Sequence, residues 1–392
     1  MSPSAKTCST DLGAPPWTLD APRHGQAPLP TYGPGASQDD AAPPVAPIQQ
    51  LIPAEYRQAS AQELDARIAA AKRALGRRVV ILGHHYQRDE IIKHADYRGD
   101  SYKLSKLAAA HRDADYIVFC GVHFMAESAD ILSAASQIVV LPNLAAGCSM
   151  ADMAAIDDVR QCWDNLGRAL GGEPGADGRP PVIPITYMNS AASLKAFCGR
   201  QGGAVCTSSN AKAALRWALD QAQRVLFFPD EHLGRNTAYA LGFSESDLAV
   251  WDPRQPHGGL SPDDITQARF ILWKGWCSVH TRFTVEQVEK TRAEHPDARV
   301  VVHPECRHEV VAQADFVGST EQLVDHIAQA PAGTKFAVGT EINLVRRLAA
   351  EMPEKRIWCL DPVVCPCSTM YRIHPAYLCW VLDALVEGRV VN

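Results

Sequence analysis

Cys148, Cys277 and Cys367 are placed where distant parts of the chain could assemble one reactive centre. Each follows one of three stretches in which short apolar runs alternate with helical patterns. One thiolate from each stretch, brought to one axis, makes a three-cysteine site. On a four-iron cluster such a site leaves one iron without a protein ligand, free to act as a Lewis acid on a substrate oxygen. The chain carries 12 cysteines. It opens without a basic segment leading into an apolar one, so a cytoplasmic protein is expected rather than an exported, disulfide-stapled one. The ordinary role of a single cysteine is buried apolar filler. Cys120, Cys162, Cys198, Cys206, Cys359 and Cys379, set in apolar runs, are read that way. No CxxCxxC run argues for a cluster, so spacing alone leaves both readings of the three open.

A second set of residues can move protons and hold anions. The apolar runs end in His84-His85-Tyr86, Val122-His123, Tyr187-Met188-Asn189, Thr207-Ser208, Pro229-Asp230, His303-Pro304-Glu305, Ser319-Thr320 and Thr340-Glu341. One or two polar ends would only cap helices. So many, spread over all three stretches, point to a single site where the stretches meet. A carboxylate beside histidines, as at Glu305, is a sound proton shuttle because burial and neighbours tune it. Plainer roles exist for each: His84 and His85 as helix caps, Tyr187 in the core, Glu305 paired with Arg307. Zinc held by His84, His280, His303 and Glu305 is a further possibility. Those histidines are far apart and form no HExxH signature.

The elements that must position these residues are legible as patterns. Ser60 and Glu63 match a capping box, Leu64, Ile68, Ala71 and Leu75 form one helical face, and Gly76 closes the helix. Strands are predicted at 79–82, 116–119 and 138–141, then at 182–185, 203–206 and 225–228, then at 299–302, 315–317 and 335–338. Helices are predicted at 101–111, 126–135, 191–197, 211–222, 309–314 and 321–329. Continuous apolar strands alternating with helices indicate parallel α/β units, which bind ligands beyond the carboxyl ends of their strands. The expected fold is α/β, with three similar parallel-sheet domains in tandem at 60–150, 151–278 and 279–392. Residues 1–50, rich in Pro, Gly, Ala and Ser, are expected to form a disordered or loosely docked extension. Gly/Pro-rich insertions stand near 170–181 and 252–264.

Composition removes other classes. A chain of 392 residues, 46% hydrophobic, can bury a large core. A net charge of -6 gives no footprint for nucleic acid or an anionic membrane. No apolar run approaches the length of a membrane span.

Over roughly 65–385 the sequence resembles the quinolinate synthases. The resemblance is carried by GHHYQ at 83–87, GDS at 99–101, CGVHFMAESADIL at 120–132 and GCSMADM at 147–153. It continues in YMNS at 187–190, TSSN at 207–210, PDEHLGRN at 229–236 and CSVH at 277–280. It ends in HPEC at 303–306, GST at 318–320, GTE at 339–341 and CPCSTM at 365–370. The resemblance implies three α/β domains around a pseudo-threefold axis with the active site at their junction. It implies a [4Fe-4S] cluster on Cys148, Cys277 and Cys367. Cys365 competes for the last place, and Cys367 is preferred because it stands three residues before Met370. It further implies condensation of iminoaspartate with dihydroxyacetone phosphate to quinolinate, a transferase reaction of NAD biosynthesis. An aspartate-oxidising enzyme would supply the iminoaspartate. His84, Tyr86 and Ser101 would contact substrate from the first domain, Tyr187, Asn189 and Ser208 from the second, and His280, His303, Glu305, Ser319 and Thr320 from the third. Glu305 would be the general acid/base, assisted by Tyr86, His84, Tyr187 and His303. A non-catalytic iron–sulfur sensor would need the cluster but not the polar strand ends.

Overall fold

A computed structural model describes residues 51–392 apart from 173, 176, 364 and 365. The expected extension at 1–50, part of the insertion near 170–181, and Cys365 therefore lie outside the described residues.

Thirteen strands form three sheets. They are β1 (Val79–His84), β2 (Tyr97–Gly99), β3 (Tyr116–Cys120), β4 (Ile138–Val140), β5 (Ile183–Tyr187), β6 (Ala204–Cys206), β7 (Val225–Phe228), β8 (Leu248–Trp251), β9 (Phe270–Trp273), β10 (Arg299–Val302), β11 (Phe316–Val317), β12 (Lys335–Gly339) and β13 (Arg356–Cys359). The orders are β2-β1-β3-β4, β6-β5-β7-β9-β8 and β11-β10-β12-β13. Every pairing is parallel. The first and third sheets thus share one order, and the second differs by the extra edge strand β8. The central strands are apolar and buried along their length, as in Val79–His84 and Val225–Phe228, because helices cover both faces of a parallel sheet.

The nine strands read from the sequence are present, and β2, β8, β9 and β13 were missed. Strand β2 is three residues long and its first two are exposed, so it carries no apolar run. Strand β13 opens on an exposed Arg356 at a sheet edge. Strands β8 and β9 are apolar runs beyond the three-strand template that had been assumed. The stretch 252–264 read as an insertion is the connection between them, a turn at Pro256–Gly259 and the start of the Pro262–Gln267 helix. Gly258, at φ 69°, presses on the Trp251 ring, where a Cβ would come within 2.3 Å.

The three sheets close on one another in a ring. The helix after the third strand of each repeat reaches the next repeat's first strand-end loop. Glu127 accepts the Ala192 N–H at 2.9 Å, Asn236 donates to Pro304 and Cys306, and Asn343 and Arg347 donate back to the loop at 85–87. The Ala61–Leu75 helix is capped by Ser60, whose Oγ accepts the Glu63 N–H, and ends at Gly76 with φ 54°. Beside it lies the last helix, Pro375–Val386, tied by Arg67 to Asp383 at 2.6 Å. Residues from Met370 to Val391 share the core of the first sheet, although they follow the third in sequence. No described helix is long and apolar enough to cross a membrane.

Candidate active site

The carboxyl ends of the three sheets meet around one cavity, and four sets of three residues face it in matching places. Pairing aligns His84 with Gly99 and Tyr187 with Cys206, and His303 follows the pair Val302–Val317. So His84, Tyr187 and His303 end the first strands of the three repeats. Two residues further on stand Tyr86, Asn189 and Glu305. On the neighbouring strand ends stand Ser101, Ser208 and Thr320. The fourth set is Cys148, Cys277 and Cys367. All twelve line the same cavity, with His280, Asp100, Thr207 and Thr369 and an apolar wall of Val122, Phe124, Met125, Met150, Met188, Val279 and Met370. Among the expected site residues, Ser319 alone is not on that wall. It is fully buried, and its Oγ accepts the Gln322 N–H in a capping box.

The cysteines sit in one repeated turn. The carbonyls of Cys148, Cys277 and Cys367 accept the N–H four residues on, at 3.0, 3.1 and 3.0 Å. Each turn runs into a short 3₁₀ segment. Two helix-capping carboxyl groups stand behind them. Glu341 accepts the Cys367 N–H at 3.2 Å, and Asp230, which caps its helix by accepting the Leu233 N–H at 2.7 Å, lies beside the Cys277 backbone. Burial pushes Glu341 up to about 7 and Asp230 well above the carboxylate range, the latter with help from the Glu305 charge. Burial also pushes all three thiols up, and proximity adds to it: Cys367 raises Cys148, and Glu305, Cys367 and Cys148 raise Cys277. Three half-buried thiols that repel as thiolates are a poor set of free nucleophiles and a good set of ligands for a cationic centre. The three sulfurs do not together form a donor set that converges within 4.8 Å. A single tetrahedral ion would hold its sulfurs roughly 3.8 Å apart. The wider spacing suits a polynuclear centre.

The donors that do converge within 4.8 Å are Cys277, His280 and Glu305. His280 Nδ1 and Glu305 Oε2 are 2.8 Å apart, however, a hydrogen bond between the two. That makes them an acid–base pair more readily than two ligands of one ion. Glu305 is 2% exposed. Burial opposes its charge, but His303 and His280 outweigh it, with hydrogen bonds from His280 and the Tyr187 hydroxyl, and its carboxyl is held down to about 2. The Tyr187 hydroxyl lies beside Glu305 and Ser208, and burial keeps it protonated. The Tyr86 hydroxyl lies 3.0 Å from Thr320 Oγ1 and 2.8 Å from Thr340 Oγ1, and burial raises it likewise. His280 Nε2 meets Thr340 at 3.1 Å, and its ring stacks on His303 at 4.4 Å.

Backbone fixes the two strand-end histidines. The Tyr86 N–H donates to His84 Nδ1 at 3.1 Å, and the Glu305 N–H to His303 Nδ1 at 3.3 Å. Burial takes both rings down to about 3, so they are neutral at pH 7 and carry their proton on Nε2. Sequence reading left Asp230 off the site and named Thr340 and Glu341 only as a polar strand end. Their position after a third strand was the available signal. Asn236 and Arg347, mid-helix, gave none.

Three parallel sheets gathered around one buried, thiol-bearing cleft with a charged acid–base pair define an α/β protein with an enzyme-like, metal-ready centre. The family model described as Quinolinate synthetase A protein matches residues 66–392. The quinolinate synthase of Corynebacterium glutamicum is 58% identical over 361 residues, 92% of this chain and 90% of that one. That of Acidobacterium capsulatum is 55% identical over 84% of this chain and 87% of its own, and that of Streptomyces coelicolor 54% over 87% and 85%. The chain belongs to the quinolinate synthase family.

Proposed function

We propose that this chain condenses iminoaspartate with dihydroxyacetone phosphate to quinolinate, releasing phosphate and water, in the de novo synthesis of NAD. The observation that carries the reading is the meeting of three cysteines, one per sheet, with the Glu305–His280–Tyr187 network on the wall of one cavity. The three domains are those drawn at 60–150, 151–278 and 279–392, with the last helix docked on the first. Cys148, Cys277 and Cys367 would hold a [4Fe-4S] cluster with one iron free of protein ligands. When bound it supplies a Lewis acid for eliminating oxygen substituents.

The chain's own residues bind and move protons. The substrates carry carboxylates and a phosphate. Ser101 and Thr320 begin helices whose free N–H groups suit such anions, and Ser208, Asn189, His84 and His303 add donors. Glu305, ionised at neutral pH, accepts a proton from substrate carbon or oxygen. His280, bonded to it, takes part of the charge. Tyr187 orients the carboxylate and Tyr86 serves as a neutral donor. The apolar wall of Val122, Phe124 and Met125 excludes water. An aspartate-oxidising enzyme would supply the iminoaspartate.

Anaerobic purification with iron and sulfide analysis, an absorption spectrum and a quinolinate assay tests this, on wild type and on Cys148→Ala, Cys277→Ala, Cys365→Ala and Cys367→Ala. Four irons per chain are expected, lost in the 148, 277 and 367 variants and kept in the 365 variant, with quinolinate formed by wild type. One zinc on Cys277, His280 and Glu305, or a cluster indifferent to the three changes, overturns the reading.

A further inference from the structure

Two side chains outside the cavity hold the loops that carry its proton-handling residues. Asn236 lies on the Glu231–Ala240 helix and is buried. Its Nδ2 donates to the carbonyls of Pro304 at 2.9 Å and Cys306 at 2.8 Å, the residues on either side of Glu305. Those two carbonyls, which only accept, fix which end of the amide is nitrogen; its Oδ1 meets His308 Nδ1 at 2.9 Å, and Tyr239 lies against the His308 ring at 4.2 Å. Arg347, on the Ile342–Glu351 helix, is buried too. It donates to the carbonyls of His85 at 2.9 Å and Gln87 at 2.5 Å, on either side of Tyr86, and pairs with Asp89 at 2.7 Å. Both residues stand six places past the cap of their helix, Asp230 and Glu341.

Among the described residues, the helix of the first repeat carries no side chain at this place that donates to the loop of the second. Six places past its cap, Val122, stands Ser128, whose hydroxyl bonds its own helix at Phe124. The loop it faces carries Asn189, and Lys195 of that loop's own repeat holds it through the Ser190 carbonyl at 2.6 Å. A clamp needed only for packing would serve all three joints. It occurs at the two whose loops carry an ionisable residue.

We infer that Asn236 is a positioning residue for Glu305, and Arg347 its counterpart for Tyr86. Each pins the carbonyls of the residues before and after a site residue, and so restrains the direction in which that side chain leaves the backbone. Glu305 must meet both His280 and a reacting proton, and a displacement of about 1 Å in such a group can cost about a hundredfold in rate.

The inference rests on the proposed reaction, and one experiment separates the two. Quinolinate formation, iron and sulfide content and the pH–rate profile are measured for wild type, Asn236→Ala, Glu305→Gln and the double variant. Asn236→Ala is expected to keep its iron and spectrum. It should lose about ten- to a hundredfold in kcat with KM changed less, shift the acid limb of the profile, and add nothing in the Glu305→Gln background. An unchanged kcat and profile, or an additive loss in the double variant, overturns the assignment. If Asn236→Ala does not fold, the same cycle with Asn236→Ser, which keeps one donor, decides. Failure of both to fold makes the role merely structural and overturns it. A wild type with a full cluster that forms no quinolinate overturns the reaction reading, and this inference with it.

Discussion

The first and third repeats solve a backbone problem that the second avoids. In the first, the Ile81 N–H has no ladder partner, because β2 begins one residue later, and Asp96 takes it at 2.8 Å. In the third, Asp315 takes the Val300 N–H at 2.7 Å. Pairing puts Pro184 and Gly203 at these places in the second. Proline has no N–H to satisfy, so no carboxylate is needed, and a central strand tolerates a residue that would normally break it. Gly203 is then required for space: a Cβ there would lie 1.9 Å from the Pro184 carbonyl oxygen. A shared sheet order therefore does not mean shared local chemistry. The strand ends repeat the lesson, with Tyr86, Asn189 and Glu305 in one position and only the last ionised at neutral pH.

Changes that force one repeat to act like another sharpen this comparison. The largest effect is expected at the strand ends. Glu305→Gln should keep the metal content of wild type and lose about 10²- to 10⁴-fold in kcat, whereas Asn189→Ala should act on KM, by about tenfold, through one lost hydrogen bond of roughly 1.4 kcal/mol. Steady-state kinetics separates these, and equal effects would mean that the loops share one task. Next comes Gly203→Asp, which installs the first repeat's carboxylate against Pro184. It should destabilise by about 4 kcal/mol or more, read as loss of soluble, cooperatively melting protein. Asp96→Ala and Asp315→Ala, which strand an N–H, should each cost about 1–3 kcal/mol in denaturant unfolding, and a change below 0.5 kcal/mol would show water replacing the carboxylate.

The smallest effect concerns Lys195. Burial takes its amine from 10.5 down to about 8 against the pull of Glu127. The folded chain therefore releases this proton before the unfolded chain does. Between those pH values the unfolded state binds more protons, and stability rises with pH. The unfolding free energy of wild type relative to Lys195→Met should climb from pH 8 to 10.5, and a flat difference would place the amine in water.

What the sequence made legible follows the same division. Strands such as Val79–His84 and Val225–Phe228 are buried on both faces, so their apolar runs were plain. The edge strand Tyr97–Gly99 left no apolar run to read, and Arg356–Cys359, whose Ile357-Trp358-Cys359 run is apolar, lies beyond the three-strand template. Residues with reactive types at strand ends, His84, Tyr187 and Glu305, were found because polarity there is conspicuous, and all were found on the cavity wall. Ser319 looked the same and is a cap, since a hydroxyl beside a helix start serves either end. Asn236 and Arg347 act across repeats through backbone carbonyls, a contact that leaves no local signature.

The docking of the last helix on the first sheet has a consequence for biogenesis. As the chain emerges from the ribosome, the first repeat is complete long before residues 370–391 exist, yet the apolar face those residues cover stays open until they are made. The ring of repeats is thus fastened by a segment that follows all three sheets. The ring cannot close around the three cysteines before residues 370–391 are made, and removing the Pro375–Val386 helix is a lesion of the N-terminal core.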